Sequence, residues 1–291
     1  LQQAVKLDPG HAPAWVCIAQ ANINGAAYGW EDVTDGYRKA REAVERALEL
    51  APDLAEAHVT LCRIQMQHDW DWTGAQASSR RAMELAPGSA EVLREAGVLA
   101  QQLGKLEEAI GLLQCAVDQD PLSATSYSRL AYALRSEGRN LEAIEAYRMA
   151  LELSPQRISE HHLLCILLAD QGKDEEALSM VSREPAEWAR LTSLVYVHHV
   201  AGRASESEEA LRLLKETHST DSALQIAALH SARGEADDAF SWLDRAYAQR
   251  DSGLSQVQCE PVFRSLHKDP RWGVLLRRVG FVTSDPDRRQ T

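Results

Sequence analysis

The strongest constraint in this sequence is a phrase that returns at a near-fixed interval: an alanine, a short amphipathic run and a proline. It reads Ala4-Val5-Lys6-Leu7-Asp8-Pro9, Ala47-Leu48-Glu49-Leu50-Ala51-Pro52, Ala82-Met83-Glu84-Leu85-Ala86-Pro87, Ala116-Val117-Asp118-Gln119-Asp120-Pro121 and Ala150-Leu151-Glu152-Leu153-Ser154-Pro155. The prolines lie 43, 35, 34 and 34 residues apart. Each proline pushes the residue before it out of helical geometry, so each closes a helix. A period of this length with helical patterning predicts an all-α solenoid, in which each hairpin buries its apolar face on its neighbours.

Two hairpins are the most regular. Between Ala90 and Pro121, one helix carries Leu93, Ala96, Gly97 and Ala100, Gly104 sits at the turn, and the second helix presents Ala109, Leu113 and Ala116. The next unit repeats the scheme with Tyr127, Leu130, Ala131, Leu134, Gly138, Ala143, Tyr147, Ala150 and Pro155. Large residues fill space, while the small ones let helix axes approach closely. This alternation is the tetratricopeptide-repeat (TPR) pattern, and the chain resembles that family. The resemblance implies a right-handed superhelix of roughly seven hairpins.

The flanking units are edited versions. The first, from Trp15, Ile18 and Ala19 to Pro52, holds about nine extra residues around Gly25 to Trp30, read as a longer first helix and loop. The second carries His68-Asp69-Trp70-Asp71-Trp72 at its turn. There Asp71 is expected to cap the following helix while Trp72 packs locally on the preceding one. Beyond Pro155 the pattern loosens through units containing Gly172, Gly202 and Gly234. Residues 1–247 read as the array, with its first helix truncated at Leu1. Residues 248–282 read as a C-terminal cap, and 283–291 as a disordered polar tail. The opening at Leu1, inside a helix, predicts that the chain belongs to a longer protein.

Several segments go further than a generic repeat. Ala40 to Leu50, Leu54 to His58, Asp69-Trp70-Asp71-Trp72 with Arg80-Arg81-Ala82, and an ending of Trp242-Leu243, Ala246-Tyr247, Asp269-Pro270-Arg271-Trp272 and Gly280-Phe281 resemble one bacterial group. They are similar to the C-terminal TPR regions behind winged-helix DNA-binding, class III adenylyl cyclase or serine/threonine kinase domains. The resemblance implies a regulatory array and leaves the effector domain open.

The function classes narrow by exclusion. A net charge of −12 opposes a general nucleic-acid binder, which needs a basic face. No apolar run is long enough for a membrane span. Glycine-rich phosphate loops, GxSxG and HExxH are absent, so no enzyme is read here. His161 and Cys165 lie four apart on one helix face, but no second pair accompanies them, so no metal or other cofactor is expected. Five scattered cysteines without a CxxC pair read as reduced thiols and point to the cytoplasm.

What remains is recognition. In the TPR superhelix the first helix of each hairpin lines the concave wall. That rule selects Arg63, Gln67, Arg94, Gln101, Thr125, Ser128, Tyr132, Arg135 and His162. Arginines beside an aromatic and polar donors suit a protein or peptide partner of acidic character. The Lys/Asn clamp of chaperone-binding members is not matched, because Val16, Gln20 and Arg63 stand at its positions. A non-catalytic interaction scaffold in a bacterial signalling or transcription protein is therefore expected. The alternatives are an accessory array of a cyclase, kinase or glycosyl transferase, and a homo-oligomerisation module docking through Trp272, Leu275 and Leu276.

Overall fold

A computed structural model describes residues 2–27 and 30–281, and the expected tail 283–291 lies outside them. A short α1 (Gln2–Leu7) precedes seven hairpins. The first four pair α2 (Ala12–Ala27) with α3 (Val33–Leu50), α4 (Ala55–Ile64) with α5 (Trp72–Leu85), α6 (Ala90–Gln102) with α7 (Leu106–Gln119), and α8 (Ala124–Glu137) with α9 (Asn140–Leu153). The last three pair α10 (Glu160–Ala169) with α11 (Asp174–Val181), α12 (Glu187–Val200) with α13 (Ala204–His218), and α14 (Ala223–Ala232) with α15 (Ala236–Ala248). Two 3₁₀ turns, Ser252–Gln256 and Pro261–Leu266, then lead to α16 (Pro270–Arg278). No strand occurs among the described residues.

The small residues of the repeat do what their spacing predicts. Ala109, Ala116, Ala143 and Ala150 are fully buried at the helix crossings. A Cβ on Gly97 would stand only 2.7 Å from Leu113 Cγ, so the α6–α7 approach needs glycine there. Gly104 and Gly138 turn each hairpin with φ of +76° and +92°, the left-handed region that glycine enters without steric cost.

One hairpin breaks this rule. Counting back 34 residues from Gly104 gives Trp70, which adopts the same left-handed backbone with φ of 56°. A π turn at Gln65–Asp69 precedes it. A bulky residue in this region is strained, and such strain persists only where the surroundings hold it.

The surroundings are the far end of the chain. Trp70 is buried and stacks on Tyr247 at 5.3 Å, while the Arg250 guanidinium lies 4.5 Å from the Trp70 ring centroid. Trp72 donates its indole N–H to the Val279 carbonyl at 2.9 Å and stacks on Phe281 at 4.4 Å. Gly280 passes so close to the Trp70 carbonyl that a Cβ there would approach within 2.6 Å. Cys62, Met66, Trp70, Trp72, Val98 and Leu99 thus share one apolar core with Ala223, Phe240, Leu254, Phe263, Trp272, Leu275 and Phe281. The last hairpin and the capping segment close back onto the second and third hairpins.

Two expectations are corrected by this closure. Asp71 does cap α5, its Oδ1 accepting the Gly74 N–H at 2.9 Å, and Trp72 shares a core with Cys62 and Met66, but its hydrogen bond and ring stacking go to residues 207 and more positions away. Trp272, Leu275 and Leu276 are not free to dock into a second subunit, because they are buried within their own chain. Trp72 and Ala75 at the start of α5 share this core with Trp272, Leu275 and Leu276 of α16.

Candidate functional site

The first helices of the hairpins form the inner wall, and the capping segment crosses it. Glu260, between the two 3₁₀ turns, is the anchor. Its carboxylate accepts two hydrogen bonds from the Arg135 guanidinium, at 3.0 and 2.5 Å, and one from the Tyr132 hydroxyl at 2.5 Å. Burial alone would raise the Glu260 carboxyl, but the Arg135 charge and these bonds hold it below its ordinary value. Arg264 adds a bond from its guanidinium to the Ser136 carbonyl at 2.6 Å. An acidic side chain of the chain's own cap therefore occupies two positions that the sequence assigns to a partner.

The other assigned residues are engaged to different degrees. Gln101 is buried and donates to Ser136 Oγ at 3.0 Å. Gln67 Oε1 accepts the Tyr37 hydroxyl at 3.1 Å. Ser128 donates to Glu160 at 2.7 Å, and Thr125 Oγ1 accepts from Arg157 at 3.2 Å. Arg94 keeps a loose 3.9 Å contact with Glu91, and Arg63 makes no direct hydrogen bond or ion pair among the described residues. Both arginines act at longer range on buried Glu95, whose carboxyl burial pushes up and their charges pull back.

Ser128, Tyr132, Arg135 and His162 come together around one chamber of about 840 Å³, between α8, α10, α12 and α14 on one side and residues 253–264 on the other. Arg63, Gln67, Arg94, Gln101 and Thr125 lie outside its lining. Sequence reasoning missed Arg129, Arg157, Glu160 and Glu260, all of which line it. Arg129 and Glu160 each neighbour a selected position, but the one-side-per-position rule of the repeat passed over them.

The entry to α10 is built for this chamber. Ser159 has φ of +79° and offers no side-chain cap. Glu184 replaces that cap from a distance: its carboxylate accepts the N–H groups of Ser159, His162 and Ala186 at 3.1–3.3 Å. Glu160, the first residue of α10, takes bonds from Ser128 Oγ and Arg157 Nε on one oxygen.

His162 is held neutral. Ser193 gives its hydroxyl proton to the Ala189 carbonyl, so at 2.8 Å it accepts from His162 Nδ1–H. Burial, helped by the Arg135 charge, lowers the His162 pKa from 6.5 to about 4. The unfolded chain takes up this proton below pH 6.5, the folded one only near pH 4. The contribution is thus complete above pH 6.5 and is lost as pH falls through that window, by about 3 kcal/mol. Denaturant melts of the wild type and His162→Gln between pH 7.5 and 4.5 should show a shallower pH slope in the variant. Equal slopes would remove His162 from this role.

His161 Nε2 lies 3.1 Å from the Pro155 carbonyl, with Cys165 buried among helices. His230, Glu235 and Asp238 do gather at the α14–α15 turn. There His230 Nδ1 and Arg233 Nε already take both oxygens of Glu235, at 2.5 and 2.9 Å.

Known proteins resemble the fold described here. A family profile described as "Tetratricopeptide repeat" matches residues 71–124 and 94–158. The chain is 35% identical over 85 residues to "Small glutamine-rich tetratricopeptide repeat-containing protein 2" of Mycosarcoma maydis, covering 29% of this chain and 24% of that protein. It is 24% identical over 227 residues to Superkiller protein 3 of Schizosaccharomyces pombe, covering 71% of this chain and 16% of that one. It thus spans about a quarter and about a sixth of these relatives. PilF of Pseudomonas aeruginosa is similar in structure, with a TM-score of 0.55, 19% identity, and coverage of 71% of this chain and 91% of that one. PilW, a widely conserved type IV pilus biogenesis factor, has a TM-score of 0.58, 19% identity and coverage of 71% and 93%. At such identity the likeness concerns the fold alone.

Proposed function

We propose, from the premise that this chain is a tetratricopeptide-repeat protein, that it works as a non-catalytic regulatory scaffold binding an acidic protein segment on the open part of its inner wall. Arrays of this fold bind protein or peptide partners, and the coarse scaffold reading follows from that. The acidic specificity rests on one observation: where the wall is already occupied, Glu260 fills it through Arg135 and Tyr132. One and two hairpins earlier, Arg94 and Arg63 present guanidinium groups that no described carboxylate approaches more closely than the 3.9 Å Glu91 contact. A glutamate or aspartate of a partner can take there the fork that Glu260 takes on Arg135.

The bacterial signalling or transcription setting rests on the resemblance of Ala40 to Arg81 and Trp242 to Phe281 to regulator-linked arrays. The cytoplasm suits five free cysteines, of which Cys17 and Cys115 are exposed. No described helix is long and apolar enough to cross a membrane.

The test separates binding from folding. Arg63→Gln with Arg94→Gln keeps side-chain size and avoids placing new carboxylates beside buried Glu95. Capture of partners from a lysate of the source cells should fall about tenfold or more, while the melting temperature moves by only a few degrees. An unchanged set of captured partners would overturn the assignment of this wall. Arg135 is unsuitable for such a test, because its loss damages the fold.

A further inference from the structure

The chamber behind Glu260 carries polar groups that the protein itself leaves unsatisfied. Arg129 lines it from α8, and its guanidinium makes no hydrogen bond or ion pair with any described residue. Glu160, only 5% exposed, uses one carboxylate oxygen for Ser128 and Arg157, while Oε2 has no partner. Gln225 Oε1, entering from α14, is likewise buried without a donor. Buried polar groups are otherwise satisfied in native proteins, so two buried orphan oxygens beside the unpaired, half-buried Arg129, around one space of about 840 Å³, call for a ligand.

The orphans also specify its chemistry. Arg129 has no carboxylate within ion-pair distance, feeling Glu95 and Glu160 only at longer range, and two acceptor oxygens lack donors. A neutral solute would leave Arg129 without a direct counter-ion. A phosphate would bring several negative charges beside the carboxylates of Glu160 and Glu260, which already line the chamber. A long polypeptide is opposed by the cap, whose Leu254, Val257 and Phe263 are fully buried and fix the segment that crosses the wall. The walls add Trp188 and Tyr196, flat apolar faces suited to an aromatic group.

We propose that this chamber binds a small zwitterion, a free amino acid or dipeptide with an aromatic side chain, its carboxylate on Arg129 and its ammonium on Glu160 Oε2 and Gln225 Oε1. The ligand would fill the space between α8, α10 and α14 directly behind the Glu260 anchor, and so tie ligand occupancy to closure of the array. This site does not involve Arg63 or Arg94, on which the partner assignment rests, so either assignment can fail alone.

Calorimetric titration of the full chain with L-phenylalanine, L-tryptophan and glycyl-L-phenylalanine tests it. At least one should bind saturably and raise the melting temperature. Phenethylamine, which lacks the carboxylate, and 3-phenylpropionate, which lacks the ammonium, should each bind at least about tenfold more weakly. Arg129→Gln should weaken the zwitterion about tenfold or more, and Gln225→Leu several-fold, each with an unchanged far-UV circular dichroism spectrum. Should Arg129→Gln fold poorly, Gln225→Leu decides alone. No saturable binding by any of the three zwitterions at about 5 mM, equal binding of the single-charge analogues, or full affinity in a folded variant sinks the proposal.

Discussion

Replacing Arg135 by Met is expected to cost about 3–5 kcal/mol, because it strands the buried Glu260 carboxylate without its cation. Arg135 is 7% exposed, and it supplies two of the three hydrogen bonds that Glu260 receives from side chains. Burial works against both charges, and their mutual contact, with the Tyr132 and Val262 hydrogen bonds to Glu260, offsets it. The loss should appear as a fall in melting temperature on the order of 10 °C. The double variant Arg135→Met with Glu260→Gln should recover much of it, since a neutral amide no longer needs a counter-ion. A double variant as unstable as the single one would mean that the pair acts through packing and not through charge.

Trp72→Ala is the second large effect, again about 3–5 kcal/mol. It deletes a side chain that is 8% exposed, opens a space beside Phe281 and leaves the Val279 carbonyl without its indole donor. The damage should surface far away in sequence. Amide hydrogen exchange in α16 should accelerate strongly, and proteolysis should begin near residues 250–260, while α8 and α9 remain protected. Trp72→Phe keeps a ring against Phe281 and loses only the N–H, so it should cost about 1 kcal/mol. Unchanged exchange in α16 after Trp72→Ala would show that the contact between the two ends is incidental.

The hairpins were legible because their information is local. Alanine spacing, turn glycines and closing prolines recur every 34 residues, and each instance corroborates the others. The closure was not, because its partners are separated by about two hundred residues and share no period. One signal was available. Trp70 stands in the register of Gly104 and Gly138, where a bulky side chain has to be compensated from elsewhere. The inner-wall residues were found by position, yet their partners were not. Glu260 and Arg264 lie in a segment outside the repeat, for which the pattern provides no template. Arg129, next to Ser128, and Glu160, two residues before His162, were passed over because the periodic rule selects other positions.

Linear helical arrays lose structure from their extremities, since each outermost unit has a neighbour on one flank only. Here the contact of Trp70 and Trp72 with Tyr247, Val279 and Phe281 gives the terminal region a second flank. Unravelling therefore has no cheap starting point along the stretch from α4 to α16. Breaking that contact from either side returns the last hairpin and the cap to a single flank, much as opening the clasp of a hoop frees its two ends.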